Sequence, residues 1–147
     1  MKRNLYIGIC LLMAVLALGG CKKAPINPDI EGHWQLLEFT TKADGQTHEC
    51  ERIYYSIQLW VIEVAEKGGP LELTSFRGRY RYDETDNTIR IKDLSTYDVP
   101  ELSRPAEVWE LLPYGLNCTN PTFEVVSVDK RWMTLESDYA ILKLKKF

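Results

Sequence analysis

Beyond residue 30, apolar positions recur every second residue, not every third or fourth, so the chain reads as strands. Residues 32–41 form the first such run, followed by the turn-rich Ala43-Asp44-Gly45-Gln46. Residues 53–65 are the longest, carrying Tyr54, Tyr55, Ile57, Leu59, Trp60, Val61, Ile62 and Val64, and Lys67-Gly68-Gly69-Pro70 ends them. Residues 71–82 come next, then the turn Asp83-Glu84-Thr85-Asp86-Asn87, then residues 88–93 with alternation at Ile89 and Ile91. Residues 122–128, 132–137 and 139–147 repeat the pattern, the first two separated at Asp129-Lys130. About seven strands joined mostly by short turns predict an all-β antiparallel barrel or sandwich. One segment departs from period two. After Ser103-Arg104-Pro105, the positions Val108, Leu111 and Leu112 fall at helical spacing, and Pro113 and Gly115 end the run. A short helix there would cap one end of a barrel or pack as a surface turn.

The first thirty residues follow other rules. Met1-Lys2-Arg3-Asn4 is basic, and residues 5–18 are apolar apart from Gly8, about 14 residues and too short to span a bilayer as a helix. Leu18-Gly19-Gly20-Cys21 follows, and the whole resembles the signal of bacterial lipoproteins, with Leu18 at −3, Gly20 at −1 and Cys21 at +1. That resemblance implies cleavage before Cys21, with a diacylglyceryl group on its thiol and a fatty acyl group such as palmitate on its amine. Several acyl chains anchor stably where one does not. Lys22 at +2 is not the inner-membrane retention aspartate, so the outer membrane of the cell envelope is favoured, on either the periplasmic or the surface face. Residues 1–20 thus read as a signal peptide and 21–29 as a lipidated cysteine with a tether containing Pro25 and Pro28. Residues 30–147 read as one domain. Eight tether residues reach at most about 26 Å, which holds that domain near the membrane.

Charge narrows the partners. The chain has 147 residues and a net charge of −3, and loses two cations if Lys2 and Arg3 are removed. This argues against nucleic acid.

Gly32-His33-Trp34, opening the first strand, resembles the G-x-W motif of lipocalins, whose tryptophan closes the barrel floor. The basic last strand, Leu142-Lys143-Leu144-Lys145-Lys146-Phe147, supports it, because in lipocalins a cation packs over that tryptophan; Lys143, Lys145 and Lys146 are candidates. Ser137-Asp138-Tyr139 echoes the second motif, T-D-Y. Residues 30–147 thus resemble the lipocalin-like domains of bacterial lipoproteins. The resemblance implies an up-and-down β-barrel of seven to eight strands with one short helix. It also implies a small apolar or amphipathic ligand, or, in a filled barrel, an outer face that docks an envelope protein or glycan.

Trp34, Tyr55, Trp60, Phe76, Tyr80 and Tyr82 are the aromatic candidates for the interior, where they would be core or ligand lining, with Val108 and Leu112 as the cap over them. Cys50 and Cys118 form an even pair expected to be disulfide-bonded in an oxidising compartment, the alternatives being two free thiols or a metal site with His48. Arg77, Arg79 and Arg81 share one face of a strand. If Tyr82 pairs with Ile89, Arg81 lies opposite Arg90 and Arg79 opposite Lys92. These five cations are either an outer face neutralised by Glu63, Glu72 or loop acids, or a basic patch for anionic headgroups or acidic glycans. His33 reads as structural. No nucleophile–base pair, phosphate loop, paired carboxylates or cofactor motif stands out, so the expectation is a protein that is not an enzyme and needs no cofactor or metal.

Overall fold

A computed structural model describes residues 24–96 and 100–147; the signal peptide and Cys21 lie outside them. Eight strands run up and down in chain order and close on themselves: β1 (Gly32–Thr41), β2 (Thr47–Gln58), β3 (Val61–Glu66), β4 (Phe76–Asp83), β5 (Thr88–Ser95), β6 (Thr122–Val128), β7 (Trp132–Glu136) and β8 (Ala140–Lys146). All neighbours are antiparallel, and β8 returns to β1. Closure leaves no free sheet edge.

The expected single strand at 53–65 is instead a hairpin. Gln58 pairs with Val61 across the two-residue turn Leu59-Trp60, where Leu59 takes φ 54°. The inward positions change parity across this turn: Ile53, Tyr55 and Ile57 are buried before it, Ile62 and Val64 after it. The strand expected from residue 71 begins only at Phe76, and β2 begins six residues before residue 53. Elsewhere the register is as read: Tyr82 pairs with Ile89, Arg81 with Arg90 and Arg79 with Lys92.

The two ends are closed by different devices. At the floor, residues 26–30 turn beneath the barrel, Ile30 is fully buried, and the Trp34 indole N–H donates to the Ile30 carbonyl at 2.8 Å. Lys146 lays its ammonium 4.9 Å from the centre of the Trp34 ring. Gly32 makes this possible: its φ is +144°, and a Cβ there would stand 2.6 Å from the Lys146 Cε.

At the mouth, the β5–β6 connection folds inward. Helix α1 (Val108–Leu111) starts with a capping box between Glu107 and Glu110 and runs into a 3-10 turn over Leu112–Tyr114. Gly115 stops the turn at φ +73°, packed on Phe39 and Leu142. The helix therefore begins after residue 105 and ends where Pro113 and Gly115 indicated. Of the three positions at helical spacing only Leu111 is buried, with Tyr114 beside it in the core; Val108 and Leu112, expected as the cap, are 51% and 39% exposed. Four helical residues make one turn, too short for an amphipathic stripe to set orientation; the Tyr114 ring, anchored at both ends, sets it instead. Its hydroxyl donates to the Thr74 carbonyl at 2.8 Å and its carbonyl accepts from the Tyr55 hydroxyl at 2.5 Å. Behind the helix the Arg104 guanidinium grips the buried Glu110 carboxylate through two bonds of 2.8 and 2.6 Å, holding that carboxyl below the usual range.

Candidate functional site

Inside the barrel the aromatic residues are core. Trp34, Tyr55, Phe76 and Tyr114 are fully buried, Tyr80 is 1% exposed, and the aliphatic side chains between them 2% or less. Side chains bordering a hollow wide enough for water would be exposed to it, so these pack against one another. No buried side-chain polar atom among the described residues lacks a partner. Small barrels are often filled in this way.

Trp60 and Tyr82 are the exceptions among the aromatic interior candidates. Because the β2–β3 turn falls at Leu59-Trp60, the indole points out of the barrel and is 52% exposed. It borders a cleft of about 780 Å³ on the outer surface, completed by β4 residues 79–84 and by Arg90 and Lys92 of β5. This cleft unites Trp60, Tyr80 and Tyr82 with four of the five cations read as a basic patch; Arg77 lies outside it, paired with Glu63 at 3.3 Å. Tyr82 is half-buried at the rim, its hydroxyl donating to Asn87 Oδ1 at 2.7 Å.

Salt bridges neutralise part of the patch. Arg79 meets Asp93 at 2.5 Å, and Arg90 meets Asp86 at 2.6 Å and Asp83 at 3.6 Å. The Thr88 hydroxyl and the Arg90 guanidinium hold the Asp86 carboxyl below its usual range. Glu63 and the turn acids Asp83 and Asp86 neutralise arginines as expected, Asp93 of β5 joins them, and Glu72 forms no salt bridge with a described residue. Arg81 and Lys92 have no salt-bridge partner among the described residues, and Arg81 directly faces Arg90 across the β4–β5 pair. Like charges opposed in this way repel. An anion placed between Arg81 and Lys92 would relieve that repulsion, with Trp60 and the tyrosine edges offering apolar surface beside it.

Glu31 and Asn27, which the sequence did not single out, tie the cleft to the floor. The Glu31 carboxylate accepts from the backbone N–H of Ile26 at 2.7 Å and of Asn27 at 2.9 Å, and Tyr80 donates its hydroxyl to it at 3.5 Å. Burial acts to raise the Glu31 carboxyl, but N–H donors from Asn27, Leu59 and Ile26 outweigh it and leave it lowered. Burial and the Glu31 charge push the Tyr80 hydroxyl up to about 12. One carboxylate thus fixes the incoming chain, the β2–β3 turn and the inner wall of the cleft together.

The disulfide expected between Cys50 and Cys118 is not formed. Both are free, half-buried thiols, and Cys50 turns its Sγ towards the His48 carbonyl of its own strand, at 3.7 Å. Burial pushes the Cys50 thiol up to about 11, helped by the Glu38 charge, which makes it a poor nucleophile. His48 stacks on Phe39. No group of three metal-ligating side chains occurs among the described residues, nor any helix long and apolar enough to cross a membrane.

The barrel, its floor tryptophan and the lysine above it match the architecture expected from the G-x-W reading. The family model for lipocalin-like domains matches residues 14–147. The chain belongs to the lipocalin-like domain family. This lipocalin-like barrel is similar to a crystal structure of a lipocalin-like protein from Bacteroides uniformis, at 24% identity and a TM-score of 0.59, over 81% of this chain and 99% of that one. It is also similar to a crystal structure of an uncharacterized protein from Bacteroides eggerthii, at 21% identity and a TM-score of 0.61, over 81% of this chain and all of that one. No curated protein matches the lipocalin-like chain. The fold as such is compatible with a small ligand.

Proposed function

We propose that this lipocalin-like protein is a lipid-anchored component of the cell envelope, held at the outer membrane through Cys21. It binds a small amphipathic molecule with an anionic head, and does so without catalysis. The observation that carries the reading is the contrast between a filled interior and the outer cleft, where unpaired Arg81 and Lys92 sit beside exposed Trp60. The ligand's anionic head would lie between those cations and its apolar part along Trp60 and Tyr82. The filled interior is the reason the ligand is placed on this surface, and the cations without salt bridges are the reason it is given an anionic head.

The test is titration of the full chain in mild detergent with an anionic lysophospholipid, followed by tryptophan emission, with Trp60→Phe assigning the change to Trp60. Saturable binding that the zwitterionic lysophospholipid does not reproduce, and that Arg81→Glu/Lys92→Glu removes, is expected. Equal responses to both lipids, or an unchanged response in the double variant, would refute the cleft as the site.

A second reading is favoured by one observation. At the mouth, Leu102, Val108, Trp109 and Leu112 are exposed, an apolar surface suited to docking an envelope protein. On that reading Trp109→Ala, distant from the cleft, would weaken partner binding and leave lysophospholipid binding unchanged.

A further inference from the structure

The exposed aromatic residues are not scattered evenly over the barrel, and their placement matches the direction from which the chain arrives. The segment from Ala24 to Ile30 reaches the barrel at the floor and is pinned there by Glu31. At that same end stand Trp60 in the β2–β3 turn, Trp132 at the start of β7 and Phe147 just after β8, exposed by 52%, 48% and 85%; Ile26 adds 43%. Lys130 and Arg131 occupy the β6–β7 turn, Lys145 lies 5.7 Å from the centre of the Trp132 ring, and Arg81 is on the floor half of β4. None of these four cations forms a salt bridge with a described residue. The acids at this end are largely engaged: Asp86 by Arg90, and Asp129 by the backbone N–H of Arg131 and Trp132 at 2.6 and 2.8 Å. Asp29 and Glu84 remain.

The mouth is the converse. Its apolar side chains Val108, Trp109 and Leu102 stand among Glu101, Glu107 and, on the β3–β4 connection, Glu72. An anionic surface would repel it. Exposed aromatics interleaved with lysine and arginine suit the headgroup layer of an anionic bilayer, where the rings sit at the interface and each cation gains from the surface potential.

We infer that the floor of the barrel is a membrane-contacting face, seating Trp60, Trp132 and Phe147 in the headgroup layer of an anionic phospholipid bilayer. This rests on the reading of Cys21 as a lipid anchor, because a tether of at most about 26 Å brings the floor within reach of the bilayer. The barrel then stands mouth outward, and the Trp60 cleft opens at the plane of the membrane, where an amphipathic ligand resides.

The experiment uses residues 24–147, which hold all eight strands of the closed barrel. An N-terminal hexahistidine tag on a nickel-chelating lipid takes the place of Cys21. The vesicles contain phosphatidylglycerol and brominated phosphatidylcholine, and flotation establishes that each variant is bound. Strong bromine quenching of tryptophan emission is expected in the wild type and in Trp109→Phe. A several-fold loss of quenching is expected in Trp60→Phe/Trp132→Phe, whose remaining indoles are buried Trp34 and the mouth's Trp109. Replacing phosphatidylglycerol by phosphatidylcholine should weaken the quenching. Quenching that survives in the double variant, or no quenching in protein that floats, overturns the orientation. The anchor is tested separately: an intact mass of the full chain from its host's membranes without diacylglyceryl and acyl groups on Cys21 removes the anchor reading, and leaves the quenching result to stand by itself.

Discussion

The Tyr55 hydroxyl reaches from inside β2 to the carbonyl of Tyr114, 59 residues away in sequence, and closes the bond at 2.5 Å with both residues fully buried. This contact joins the mouth cap to the barrel wall. Tyr55→Phe removes the donor and strands a buried carbonyl, which should lower stability by about 1–3 kcal/mol. Urea unfolding measures it, and faster proteolysis within the β5–β6 connection should accompany it.

Gly32 and Lys146 form a second coupled pair. Gly32→Ala should destabilise the barrel by about 1–3 kcal/mol, since alanine at φ +144° is strained and its Cβ meets Lys146. Lys146→Ala in the same chain frees the space but not the backbone, so it should restore only part of the loss. Full restoration would mean that the backbone strain is absent.

Trp34 and Trp60 should behave oppositely when truncated. Trp34→Ala removes a fully buried ring and should cost about 3–5 kcal/mol. Trp60→Ala alters an exposed turn and should stay within about 0.5 kcal/mol, while anionic lysophospholipid binding falls. Paired denaturation and calorimetric titrations separate these effects.

Acid should loosen the floor. The Glu31 carboxyl is lowered in the folded protein, so the unfolded chain takes up its proton first as pH falls. Its contribution is fully present above the ordinary glutamate value of 4.5, and is lost as the pH drops below that and through the folded value. Glu110, lowered by Arg104, acts in the same direction. Glu31→Gln should be less stable at neutral pH and show a shallower decline between pH 5 and acid, read from thermal unfolding across a pH series.

Arg81 offers a trade between stability and binding. It faces Arg90 without a salt bridge of its own, so Arg81→Thr should leave stability unchanged or slightly higher and weaken anionic lysophospholipid binding several-fold. Thermal shift and titration on the same sample check both halves.

The barrel was legible where short turns fixed the register. The turn read at residues 83–87 placed Arg81 opposite Arg90, and the lipocalin resemblance, with the basic last strand, implied a lysine over Trp34. The β2–β3 hairpin was hidden because Leu59-Trp60 carries none of the residues that favour two-residue turns. Its trace is the switch of buried positions from odd to even after Ile57. The cap misled for a related reason: a single helical turn has no stripe, and the anchoring of Tyr114 depends on Thr74 and Tyr55, distant in sequence. The cleft could not be seen either. It exists because Trp60, read as mid-strand, stands in a turn and points outward beside the paired β4 and β5.

The pairing of β1 with β8 also governs how the molecule can be made. Every other strand finds its partner next to it along the chain, and forms as soon as that neighbour is available. β1 must wait through almost the whole of synthesis for β8, and until then β1 and β7 each present a bare row of backbone donors and acceptors. A chain halted anywhere before Ala140 is therefore an open sheet with two adhesive margins, and its fate depends on being kept apart from its own copies until the last seven-residue strand arrives.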